Sequence, residues 1–148
     1  MDAVRALRQV FIFKDVPDPV LEMVAGAAED ISVNPGETFL SPGDTPNALF
    51  VIRSGTVRLV PDRANAPSVL FGTGETIGEI SLIDGAPFAG SATALERADL
   101  LVIRAGRLSD TLAGKPEAAV QLYRAIAKSL AGRLRRAVDM ITLAKERH

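Results

Sequence analysis

The chain has 148 residues, no cysteine and one histidine, His148. This inventory excludes disulfides, thiolate chemistry and cysteine-ligated metals, and leaves no basis for a Ser-His-Asp triad or a multi-histidine metal site. A formal net charge of −1 gives no general attraction to nucleic acid or an acidic membrane, and 47% hydrophobic with only 5% aromatic residues implies an aliphatic core of one domain. The start, Met1-Asp2-Ala3-Val4-Arg5, has no basic-then-apolar signal pattern. No apolar run approaches the roughly 20 residues of a membrane span. A soluble, cytoplasmic protein without membrane contact is the expectation.

In chain order, Val4, Leu7, Val10 and Phe11 recur at helical spacing. After a break at Asp15-Val16-Pro17, a second helix carries Val20, Leu21, Val24, Ala27 and Ala28, with Asp18 as its expected cap and Pro19 at its first position. From about residue 31 the pattern becomes short β segments between turn residues. Ile31–Val33, Thr38–Leu40, Ala48–Ile52, Thr56–Val60, Ser68–Phe71, Ala92–Leu95 and Leu100–Ile103 are separated by Gly/Pro-rich turns such as Asn34-Pro35-Gly36 and Ser41-Pro42-Gly43-Asp44. Seven or eight such strands predict a barrel or roll. Helix returns near Gly106, and after Lys115-Pro116 one long helix runs to the end.

The order of helices, roll and long helix resembles cyclic-nucleotide-binding domains, and particular residues carry the likeness. Pro35-Gly36-Glu37, Pro42-Gly43-Asp44 and Ala48-Leu49-Phe50-Val51-Ile52-Arg53-Ser54-Gly55-Thr56-Val57 are similar to the family's front half. Gly74-Glu75-Thr76-Ile77-Gly78-Glu79-Ile80-Ser81-Leu82-Ile83-Asp84-Gly85 resembles the start of its phosphate-binding cassette. The resemblance implies one mainly-β domain over 1–148. Its parts are N-terminal helices (1–30), an eight-stranded β-roll of the jelly-roll or double-stranded β-helix type (31–104, cassette 74–93) and C-terminal helices (106–148). The nearest layout is the sensor half of catabolite activator protein type regulators. There a helix-turn-helix follows the long helix, whereas this sequence ends at Lys145-Glu146-Arg147-His148. DNA binding by this chain alone is therefore not expected.

The resemblance places ligand contacts at Gly78, Glu79, Ile80, Ser81 and Leu82, then Phe88, Ala89, Gly90 and Ser91. Backbone N–H groups at a helix start favour an anion, and Gly78 lets the backbone approach it. Glu79 occupies the position whose carboxylate accepts from a ribose hydroxyl. The plainer reading is an acid complementing the helix N-terminus. The second half departs from the family, which usually reads proline-arginine-serine-alanine-threonine. Here the stretch is Pro87-Phe88-Ala89-Gly90-Ser91-Ala92-Thr93. Without gaps Phe88 takes the arginine's place and Ala89 replaces the following serine or threonine. A shifted register puts Gly90 there instead, so neither supplies a cation.

Losing a buried charge-assisted partner costs on the order of 2–5 kcal/mol. Affinity would then fall by roughly thirty- to several-thousandfold. Arg53, Arg58 and Arg97 are candidate replacements, with surface solubility as the plainer reading of each. The base-reading threonine or serine expected on the long helix is also missing. Arg135-Arg136-Ala137-Val138 stands there, and Thr142 lies one turn later.

On that helix Tyr123, Ile126, Leu130, Leu134, Ala137, Ile141 and Ala144 step by three or four residues, widened by Ala127, Ala131 and Val138. Such a stripe predicts one side on the roll and the other on a second copy, giving a homodimer. Lys128, Arg133, Arg135, Arg136, Lys145 and Arg147 read as its solvated face, or more sharply as a basic strip. No catalytic or metal-binding residue is expected. The functional expectation is a regulatory ligand sensor for cyclic AMP, cyclic GMP or another small ligand, with weakened cyclic-nucleotide binding. The alternative is a ligand-free dimerisation module that engages a protein partner.

Overall fold

The computed structural model describes residues 2–147, so His148 lies outside the described residues. Three stretches precede the strands: α1 (Ala3–Arg8), a 3-10 turn (Phe11–Phe13) and α2 (Asp18–Gly26). Eight strands follow: β1 (Ala28–Val33), β2 (Thr38–Leu40), β3 (Ala48–Ser54), β4 (Val57–Pro61), β5 (Val69–Phe71), β6 (Thr76–Ile77), β7 (Gly90–Ala94) and β8 (Ala98–Arg104). Between β6 and β7 lies the short helix α3 (Glu79–Asp84), and α4 (Ala105–Leu112) and α5 (Pro116–Glu146) complete the chain. The strands form two antiparallel four-stranded sheets, ordered β1-β8-β3-β6 and β2-β7-β4-β5. This is the expected eight-stranded jelly roll with flanking helices. Among the described residues, no helix is long and apolar enough to cross a membrane.

The unbroken apolar runs of β3 and β8 follow from the position of their sheet. Side chains alternate faces along a strand, so a strand covered on both sides has no polar positions to offer. In β3, Leu49 and Val51 join the helices, while Ala48, Phe50 and Ile52 fill the interior of the roll. In β8, Leu101 and Ile103 face the helices, and Leu100 and Val102 face inward. The other sheet has water on its outer side. In β4, Val57 is buried and the next residue, Arg58, is exposed. Leu7, Ile12, Phe13, Leu21, Val24, Leu108, Leu122 and Ile126 form the helical layer on the first sheet.

Several boundaries differ from the sequence expectation. The first helix stops at Arg8, and Phe11 belongs to the 3-10 turn. Asp18 is not the cap of α2: Pro17 holds that place and Asp18 is the first helical residue. The Pro17 carbonyl accepts the first helical bond, from the Leu21 N–H at 2.9 Å, and the Asp18 side chain pairs instead with the Arg8 guanidinium at 2.5 Å. The aspartate thus complements the helix N-terminus by charge rather than by capping. Strand β1 begins at Ala28, three residues before the expected start of the roll, because all six of its residues pair with β8. Strand β6 was not expected, as two residues carry no readable period.

The long helix divides the expected partner-facing line. Ile126 is buried with Leu122 in the chain's own helical layer, which corrects its assignment to a second copy. Leu130 is half-buried, Ala137 is exposed, and Tyr123, Leu134 and Ile141 are 48%, 65% and 58% exposed. The physical cause is register. Leu122, Ile126 and Ser129 follow one face, whereas Tyr123, Leu134 and Ile141 are spaced by whole helical turns along another.

Candidate ligand-binding site

The cassette begins where β6 turns into α3. Gly78 adopts φ +89°, and a Cβ there would lie 2.6 Å from the Ala48 carbonyl oxygen of β3. Only glycine combines that backbone conformation with so close an approach. The amides of the first turn of α3 have no intrahelical acceptor, as at any helix start, and the first intrahelical bond runs from the Leu82 N–H to the Gly78 carbonyl. Glu79 is half-buried, and its Oε2 accepts from the Thr76 hydroxyl at 3.0 Å. Ser81 is buried and donates its hydroxyl to the Ala86 carbonyl at 3.0 Å. Asp84 accepts from the Ala86 N–H at 2.9 Å, so the turn after α3 is tied down from both sides.

The second half of the cassette is anchored through its backbone. The Phe88 N–H donates to the Asp44 carbonyl at 2.6 Å, and the Phe88 carbonyl accepts from the Gly43 N–H at 2.9 Å. The Phe88 ring is half-buried against the interior core that contains Phe50, Ile52 and Val102. Gly90 opens β7 opposite Pro61, and a Cβ there would lie 2.5 Å from the Val60 carbonyl oxygen. A side chain of any kind is thus shut out at 90, the position that the shifted register offers for an arginine.

These segments enclose an open cavity of about 240 Å³, lined by Gly78, Glu79, Ile80, Ser81, Ala86, Pro87, Phe88 and Ala89. Of the residues singled out from sequence, Leu82 instead packs toward the helical layer, and Gly90 and Ser91 lie in β7. Ala86 and Pro87 complete the lining. The candidate replacement arginines are elsewhere. Arg53 pairs with Asp30 at 2.6 Å, Arg97 reaches Asp99 at 3.4 Å, and Arg58 is exposed on β4 opposite Thr93. None of them lines the cavity.

Glu79 also borders a second cavity, of about 260 Å³, with Glu75, Thr76, Phe71, Gly74, Gln9, Phe11 and Arg133. The Arg133 guanidinium lies 3.8 Å from the centre of the Phe11 ring, a cation–π contact that holds α5 against the N-terminal turn. Sequence alone placed Arg133 only in a basic strip, because its aromatic partner is far away along the chain. A third cavity, of about 360 Å³, lies beside Asp30, Ser32, Arg53, Ser54 and Asp99. Its polar groups serve one another: Asp99 accepts from Ser32 at 2.7 Å and Ser54 at 3.1 Å. These hydroxyls, with Arg97, hold the Asp99 carboxyl below its ordinary range.

An eight-stranded jelly roll with N-terminal helices, a long C-terminal helix and a short glycine-led helix between β6 and β7 defines a β-roll domain with a cavity at that helix. Residues 30–115 match the model of the cyclic nucleotide-binding domain, and the chain belongs to that family. It is 25% identical over 127 residues to a CRP-like cAMP-activated global transcriptional regulator of Mycobacterium tuberculosis, which covers 84% of this chain and 57% of that protein. A lysophospholipase of Pyricularia oryzae is 28% identical over 116 residues, covering 76% of this chain and 8% of the enzyme. The chain thus spans little more than half of the first relative and a small part of the second. Among solved structures, the N-terminal domain of a transcriptional regulator from Streptomyces coelicolor A3(2) superposes with a TM-score of 0.76 at 30% identity. That match covers 90% of this chain and 95% of the other.

Proposed function

We propose that this chain is a non-enzymatic, ligand-sensing regulatory domain whose cassette binds cyclic nucleotides weakly, and that it works as a homodimer through α5. The observation that carries this reading is the open cavity between Gly78–Ser81 and Ala86–Ala89, with Glu79 on its wall. Gly78 makes a close approach to β3, and in the ungapped register Phe88 stands where the resemblance implies the phosphate-binding cation. The lining offers one carboxylate and one hydroxyl already donated to a carbonyl, a set without a base–nucleophile pair. Binding without catalysis is its natural use. The exposed line of Tyr123, Leu134 and Ile141 supports association of two α5 helices.

Calorimetric titration with cyclic AMP and cyclic GMP to millimolar concentration tests the sensing function. Weak binding that Glu79→Ala abolishes is the expected result. Silence from a folded protein would reject cyclic-nucleotide sensing. A second reading, a ligand-free interaction module, is favoured by the packing of Phe88 on the core of the roll. The same silence would support it.

A further inference from the structure

We infer that the cassette cavity prefers an uncharged, nucleoside-like ligand, a flat ring bearing a hydroxylated substituent, over the phosphate-bearing cyclic nucleotide. This inference rests on the ligand-sensing reading of the same site.

The side chains of the lining are acidic where a phosphate needs positive charge. Its single ionisable side chain is the Glu79 carboxylate. A phosphodiester would therefore enter beside a like charge, with no cation among the described residues that line the cavity. The Ser81 hydroxyl already donates to the Ala86 carbonyl, so donating to a phosphate oxygen would break that bond. Nor can a cation come from the neighbouring strand, since the Val60 carbonyl closes off any side chain at Gly90. Arg133 borders Glu79 from the adjacent cavity, where it stacks on Phe11.

The same groups suit a neutral, hydroxylated ligand. With Oε2 engaged by Thr76, the Glu79 carboxylate keeps acceptor capacity for ligand O–H or N–H donors and offers none in return. Phe88 presents an aromatic surface at the position where the charge would otherwise sit, and such surfaces pack on flat rings.

The test is calorimetry on the full chain with two matched pairs, adenosine against cyclic AMP and guanosine against cyclic GMP. The expected result is that a nucleoside binds at least about tenfold more tightly than its cyclic phosphate, equivalent to 1.4 kcal/mol. Phe88→Arg should reverse that order by restoring a cation. Because Phe88 also packs on the core, Glu79→Gln provides a second check: removing the negative charge should narrow the difference without altering the shape. A wild-type chain that binds the cyclic nucleotide more tightly than the nucleoside overturns this inference and leaves the sensing reading standing. A folded wild-type chain that binds none of the four compounds overturns both.

Discussion

The Thr76 hydroxyl donates to Glu79 Oε2 at 3.0 Å, bridging β6 and the first residue of α3. This bond fixes the one charged side chain of the cassette cavity. Thr76→Val keeps the shape and removes the donor. It should cost about 1 kcal/mol, or a fall of roughly 2–4 °C in Tm for a protein of this size. Any ligand that depends on Glu79 should also lose affinity, whereas a cassette that binds nothing would show only the shift in Tm. Thermal melts run beside titrations separate the two.

Gly78 and Gly90 hold the two halves of the cassette against β3 and β4 respectively. Alanine at either position drives a Cβ to 2.6 or 2.5 Å from a backbone carbonyl oxygen. Backbone cannot rotate away as a side chain can, so each variant should lose about 1–3 kcal/mol. Gly78→Ala carries the further strain of its positive φ. Equal denaturant midpoints for wild type and Gly90→Ala would refute the close approach.

The two faces of α5 should respond differently to substitution. Leu122 is fully buried, and Leu122→Ala should cost about 2–5 kcal/mol at any protein concentration. Leu134 is exposed on the other face, so Leu134→Glu should barely alter the stability of a single chain. If two copies meet there, sedimentation velocity will show the wild type as a dimer and Leu134→Glu as a monomer. A wild type that sediments as a monomer at high micromolar concentration would reject the dimer.

Asp99 supplies a pH dependence with a definite sign. Hydrogen bonds from Ser32 and Ser54, then the charge of Arg97, lower its pKa in the folded state. Stability from this group is therefore complete above the unfolded value of about 3.9. It is lost as pH falls through the lower, folded value. Asp99→Asn should flatten the acid limb of the stability curve, with its deficit relative to wild type shrinking below that range. A deficit that stays constant as the pH is lowered through this range would show that Asp99 acts without titrating.

Much of the roll was legible because its turns are written in glycine and proline and its strands in aliphatic runs. The sequence also singled out Gly78, Glu79 and Phe88, which the fold brings together on one cavity. Local pattern could not reveal β6, whose two residues are strand only because they pair with Phe50 and Val51 of β3. Nor could it place the cap of α2 at Pro17, whose carbonyl accepts the first helical bond, or pair Asp18 with Arg8, ten residues earlier.

By itself, the sequence determined the class of fold and the absence of an arginine from residues 74–93, since these depend on residue identity and short-range spacing. Tertiary structure decided that Glu79 borders two cavities, that position 90 excludes any side chain, that Arg133 stacks on Phe11, and that Ile126 and Leu134 point to different environments. Each depends on the approach of segments distant in the chain. A period of three and four residues tells which side chains share a helix face, but not what the folded chain sets against that face.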